Sequence, residues 1–218
     1  MKPLSILYRD QWIVAVDKPA GLPVHPGGKD ENSSPILMKV LRDQIGAKIW
    51  SVHRLDQPTS GVIVFSLSKG LDTHIRLQFE RQAVRKLYLA IVAGKTPHRW
   101  RSDQPLQKDE THPFRKAATD FERKQTFQIE DQSFSLLKVR PKSGRFHQIR
   151  KHLAAARFPI LGDYRYGDVA EMDRLTKLTR QSGLMLHAQL LQLTHPVTSE
   201  DLFISAPVPE RFSAICDC

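Results

Sequence analysis

His53-Arg54-Leu55-Asp56-Gln57-Pro58-Thr59-Ser60-Gly61 is the stretch from which the rest of this chain can be read. It lies between Trp50-Ser51-Val52 and the apolar run Val62-Ile63-Val64-Phe65, so a turn feeds directly into a buried strand. Pro58, Thr59 and Ser60 suit the turn. Asp56 therefore stands at the mouth of that strand, two residues from the guanidinium of Arg54. A carboxylate so placed stays ionised and accessible, as a nucleophile or a general base must. Ser60 and Thr59 are poorer nucleophile candidates, because no histidine nearby in sequence has the context to activate them.

Outward from this segment, short strands dominate. Ser5 to Val16 reads as two strands around a turn at Arg9-Asp10, and Lys18-Pro19-Ala20-Gly21-Leu22-Pro23 reads as a structured loop. Ser34-Pro35 has the form of a helix start, with serine as cap and proline in the first turn; Leu37, Val40 and Leu41 give that helix an apolar stripe. Leu71, Ile75 and Phe79 mark a second helix, with Ser68 as a candidate cap. Lys86 to Val92 is a strand. Gly94 to about Arg115 is polar, basic and proline-bearing, a long surface excursion of the kind that often carries function. Ala118 to Gln128 and Phe134 to Val139 form a hairpin around Glu130-Asp131-Gln132. A helix is expected from Phe146 to about Arg157, and Leu186 to Leu193 is strand-like. Strands outnumber helices, and the helices stand isolated between hairpins, which fits an α+β architecture.

The chain has 218 residues, enough for one substantial domain, and 40% of them are hydrophobic. No apolar run approaches the roughly 20 residues that span a bilayer, and the first residues lack the apolar core of a signal peptide. No membrane contact is expected. Cys216 and Cys218 are too close together for an unstrained disulfide, so a reducing, cytoplasmic setting is the simple reading. Thirty-three Lys and Arg against 23 Asp and Glu leave a net charge of +10. Such a field attracts polyanions.

A second cluster is Arg140-Pro141-Lys142-Ser143-Gly144-Arg145-Phe146-His147-Gln148-Ile149-Arg150-Lys151-His152. Cations at a helix start oppose the macrodipole, a cost best tolerated where they face an anion. Backbone N–H groups there, with Arg145, His147 and Lys142, suit phosphate oxygens. Arg150, three residues after His147, shares a helix face with it. Nine histidines invite a metal centre, yet His147 and His152 are five apart and Cys216-Asp217-Cys218 lacks a second cysteine pair, so none is expected. Gly-rich phosphate loops and dinucleotide fingerprints are absent from the sequence.

Together these motifs resemble the RluA family of RNA pseudouridine synthases. His53 to Gly61 is similar to its His-Arg-Leu-Asp-x-x-Thr-Ser-Gly signature, Lys18-Pro19-Ala20-Gly21 to its first motif, and Lys86-Leu87-Tyr88 to its Lys-x-Tyr strand. Gly144-Arg145-Phe146-His147-Gln148-Ile149-Arg150, Pro159-Ile160-Leu161-Gly162-Asp163 and Leu186-His187-Ala188 follow in family order, over about residues 5 to 210. Arg42-Asp43-Gln44-Ile45-Gly46 and the stretch from Met185 to Pro196 look most like the tRNA pseudouridine synthase C branch.

The resemblance implies a single catalytic domain over residues 1–218, with a mixed, mainly antiparallel sheet, flanking helices and a central cleft. A separate N-terminal RNA-binding domain of the S4 type is not expected. Asp56 would attack the target uridine at its anomeric carbon or at carbon 6, after which the base is detached, rotated and rejoined through carbon 5. No cofactor or metal is implied. Arg54 would fill the space left by the flipped uridine. Tyr88 would stack on the base, Arg150 would pair with Asp56 and Leu186 would wall the pocket. The partner would be RNA, with tRNA modified in its T stem favoured over ribosomal RNA, and the enzyme would act as a monomer.

Overall fold

Continuous apolar runs such as Ile13-Val14-Ala15-Val16 and Val62-Ile63-Val64-Phe65 can form stable strands only where both faces are covered. Every one of these eight residues is buried in the computed structural model, which describes residues 2–26 and 35–216. In chain order the elements begin with β1 (Ser5–Arg9), β2 (Ile13–Lys18), α1 (Leu37–Ile45), β3 (Trp50–Ser51), β4 (Ser60–Ser66) and α2 (Leu71–Glu80). There follow β5 (Arg85–Ala93), β6 (Arg99–Ser102), β7 (Thr119–Ile129), β8 (Gln132–Pro141) and α3 (Gln148–Ala155). The chain ends with α4 (Val169–Thr179), β9 (Leu186–Thr194), β10 (Asp201–Ser205) and α5 (Glu210–Ser213).

The chain divides into two compact units. The first comprises Met1–Arg85 and Ala188–Pro207. Its strands lie in the order β1-β2-β4-β9, with β10 on β9 and β3 on β4. The pairs β1–β2, β2–β4, β3–β4 and β9–β10 are antiparallel. Ile13, Ala15, Val62, Val64, Ile75 and Leu191 belong to one buried cluster, to which α2 contributes Ile75. Gly61 is required here. Its φ is +109°, and a Cβ would fall 2.2 Å from the carbonyl oxygen of Ala188, so only glycine lets β4 run that close to β9.

The second unit comprises Lys86–His187 and Val208–Cys218. It is built on the antiparallel run β5-β8-β7-β6. Leu89, Ile91, Leu137, Val139, Leu153, Leu161, Leu175 and Phe212 share its core. Gly162, at φ +79°, passes so close to Gly183 that a Cβ would lie 2.0 Å from the Gly183 oxygen. That approach seats Asp163 next to it.

The α+β class holds, and several boundaries move. Helix α1 starts at Leu37 behind Ile36, so Pro35 is not in its first turn; Ser34 lies outside the described residues. Gly70, not Ser68, sits at the cap position of α2. The polar excursion after Gly94 contains β6, whose Trp100 stacks on Phe121 at 4.6 Å, and a bridge between Leu106 and Arg115. Helix α3 begins at Gln148 rather than at Phe146, because His147 takes a left-handed backbone (φ 53°) that helix cannot continue through. Helix α4 and strand β10 were not foreseen. For α4 the signal was present, since Asp168 accepts a hydrogen bond from the N–H of Glu171 at 2.9 Å, ahead of the buried residues Met172 and Leu175.

Candidate active site

In the first unit, the loop carrying Asp56 is tied down at nearly every residue. The ladder between β3 and β4 ends at Ser51–Phe65. Ser51 Oγ then donates to the carbonyl of His53 at 3.1 Å. The His53 ring continues the sheet in place of backbone: its Nε2 accepts the N–H of Val64 at 2.9 Å, and its face stacks on Phe79 at 4.5 Å. Arg54 is exposed, Leu55 is buried and Asp56 is half-buried. The N–H of Thr59 donates to the Asp56 carbonyl at 3.0 Å and closes the turn.

The next carbonyl, that of Gln57, receives the N–H of Gly21 at 2.9 Å and Lys18 Nζ at 2.8 Å. Lys18 is fully buried, and its ammonium also donates to the carbonyls of Leu22 (2.8 Å) and Pro19 (3.0 Å). Burying an ammonium is costly unless acceptors surround it. Three carbonyls meet that need here and join the Lys18–Leu22 loop to the loop of Asp56.

In the second unit, Lys86 and Tyr88 sit two apart on β5 and therefore on one face. Burial pulls the Lys86 ammonium down to about 8, and its Nζ donates to the carbonyl of Ser143 at 2.9 Å. Tyr88 is half-buried against the core, and Leu186 is buried in it. Arg150 is buried and makes a two-pronged pair with Asp163: Nε to Oδ2 at 2.8 Å and Nη2 to Oδ1 at 2.6 Å. Two parallel N–H···O bonds fix the plane of the guanidinium as well as its position.

His147 stands beside this pair. Its Nδ1 lies 2.9 Å from the Tyr166 hydroxyl, and its ring stacks on Phe146 at 3.7 Å. Burial, then the positive charges of Arg150 and Arg165, pull its imidazole down to about 3, so it is neutral at physiological pH. Lys142 pairs with Asp120 at 2.9 Å, and Arg145 Nε donates to the carbonyl of Lys116 at 3.0 Å.

The expected residues therefore fall in two groups. Asp56 and Arg54 belong to the first unit, and Tyr88, Lys142, Arg145, His147, Arg150 and Leu186 to the second. Reading the sequence missed the bracing residues Lys18 and His53 and the guanidinium anchor Asp163. Lys18 had a signal, a charged residue at the end of the apolar strand Ile13–Val16. The partners of Asp163 and His53 lie 11 to 13 residues away and carry no local pattern. Among the described residues, no group of three or more His, Cys, Asp or Glu side chains could hold a metal ion.

With this geometry in hand, comparison with known proteins gives a consistent answer. A family model described as RNA pseudouridylate synthase matches residues 12–155. The chain is 38% identical over 227 residues to tRNA pseudouridine synthase C of Pasteurella multocida, covering 96% of this chain and 93% of that protein. It is 36% identical to the protein of the same name from Haemophilus ducreyi, covering 97% and 94%. Among solved structures it is similar to human RNA pseudouridylate synthase domain containing 1, with a TM-score of 0.79 and 25% identity over 96% of this chain and 87% of that one. The corresponding human domain containing 4 gives a TM-score of 0.76 and 28% identity, covering 98% and 92%.

Proposed function

The chain belongs to the RNA pseudouridylate synthase family, and from that premise we propose that it isomerises a uridine in the T stem of tRNA with Asp56 as its nucleophile. The observation that carries the reading is the braced turn of Asp56: a half-buried aspartate on a loop whose neighbouring residues are held by hydrogen bonds on both sides, near an exposed arginine. The choice of tRNA is supported by relatives of that name, 35–38% identical over nearly the whole chain.

In this reading the Asp56 carboxylate attacks the uridine at its anomeric carbon or at carbon 6. The bond between the sugar and N1 breaks, the base turns, and a bond to carbon 5 replaces it. Loss of the proton from carbon 5, protonation of N1 and release of Asp56 complete an isomerisation in which no atom is gained or lost. Arg54, exposed at the tip, fills the gap left by the extruded uridine. Tyr88 stacks on the base, and Leu186 closes the apolar side. Arg150, its plane fixed by Asp163, holds the nucleophile ionised, since an adjacent guanidinium favours the charged carboxylate. Arg145 and His147 lie along the RNA backbone, His147 as a neutral hydrogen-bonding group, whereas Lys142 is already paired with Asp120.

Asp56→Ala tests the nucleophile. Pseudouridine formation on unmodified tRNA transcripts is expected to fall below detection, with RNA affinity within about twofold of wild type. Activity retained in this variant would remove Asp56 from the chemistry. Lost RNA affinity would make it a binding residue instead.

A further inference from the structure

Several cations of the second unit are matched locally by acids. Arg140 pairs with Glu122 at 3.0 Å, Lys142 with Asp120 at 2.9 Å, and on α4 Arg174 pairs with Glu171 at 2.7 Å. Arg165 and Lys151 are not matched in this way: among the described residues neither has a carboxylate oxygen within 4.0 Å. Asp163, which accepts the backbone N–H of Arg165 at 3.2 Å, is paired with the Arg150 guanidinium. Lys151 donates instead to the carbonyls of Gln107 (2.6 Å) and Lys108 (3.3 Å).

Both cations are held against aromatic faces. The Arg165 guanidinium lies 5.8 Å from the Phe146 ring centre and 5.9 Å from that of Tyr166. Lys151 Nζ lies 5.6 Å and 6.0 Å from the same two centres. A planar guanidinium beside ring faces is oriented; Arg165 shares a side-chain hydrogen bond with Tyr166 and is otherwise exposed to solvent.

The crowding has an electrostatic consequence. Burial and then Arg165 pull the Lys151 ammonium down, with Asp109 opposing them, and Arg165 and Lys151 add to the burial and the Arg150 charge that hold His147 neutral. Like charges gathered without counter-charges disfavour one another. An anion between them relieves that cost.

We infer that Arg165 and Lys151, set on the Phe146–Tyr166 shelf, form a phosphodiester-binding site for the RNA strand. This rests on the isomerase reading for the identity of the polymer. The chemistry fits a phosphate: two cations of fixed position, one planar and one compact, present several donors to tetrahedral oxygens. The open position of Arg165 suits a group carried on a polymer, because a small free anion there would keep most of its water.

The test is binding of unmodified tRNA transcripts by the full chain across a salt series. For Arg165→Gln the plot of log affinity against log salt should become shallower by about one unit, with roughly fivefold weaker binding near 0.1 M salt. Lys39→Gln, an equal charge change on the exposed side of α1, should leave the slope as in wild type. An unchanged slope in Arg165→Gln, or an equal change in Lys39→Gln, would reduce the cluster to part of a general basic field and overturn the site. Inorganic phosphate titrated at constant ionic strength separates the two sources of phosphate. Phosphate binding to wild type that is lost in Arg165→Gln, together with an RNA salt slope unchanged in that variant, would assign the site to free phosphate. Asp56→Ala should keep the wild-type slope. Failure of catalysis and failure of this phosphate contact are thus read out separately.

Discussion

Arg150 and Asp163 bury opposite charges in a two-pronged contact of 2.6 and 2.8 Å, and such a pair contributes orientation more than stability. Removing one partner is different, because it strands the other charge in the interior. Asp163→Asn should therefore lower stability by roughly 3 kcal/mol in denaturant unfolding, together with a large loss of pseudouridine formation. A wild-type unfolding midpoint would show that the pair is not buried in solution as it is in the structure. Asp56, Arg54 and Arg150 stand out in the sequence by their local chemistry, and Tyr88 only through the resemblance of its strand to the family's Lys-x-Tyr motif. Asp163 could not be given its role, because its partner is 13 residues away and becomes its neighbour only when Gly162 passes against Gly183. His53 escaped for the same reason, since it acts through a bond to the Val64 backbone that has no sequence pattern.

At the level of elements, β4 carries the most stringent requirement. Gly61 pairs with Lys18 across β2 and approaches Ala188 on its other side. Gly61→Ala would force a methyl group into backbone at a φ that disfavours any side chain, and should cost more than about 2 kcal/mol. That corresponds to a fall in Tm of roughly 5 °C or more for a chain of this size. Gly144→Ala, where a Cβ would meet nothing within 4 Å, should leave Tm within about 1 °C of wild type. Equal Tm values for the two variants would contradict the close approach. The strands β1, β2, β4, β5, β7 and β8 were legible because apolar runs and turn residues mark them plainly. Strand β6 hid in a polar, proline-bearing stretch, where Trp100 is its main apolar anchor and its existence depends on pairing with β7. The start of α3 was misplaced because the left-handed backbone of His147 is set by its surroundings, not by its own preference.

For the molecule as a whole, the +10 charge favours a polyanion without choosing one. The structure narrows the choice of contacts by separating cations already paired on their own sheet from those that are not. Arg165 and Lys151 belong to the second kind, Lys142 to the first. Which RNA meets them follows from relatives named for tRNA and from no single residue. The most direct measurement is nucleotide-resolution mapping of pseudouridine after the purified chain acts, in parallel, on unmodified tRNA transcripts and on unmodified ribosomal RNA. The account predicts conversion of a uridine in the T stem of tRNA, dependent on Asp56, with the ribosomal RNA unchanged. Conversion confined to ribosomal RNA, or no conversion in either, would contradict it.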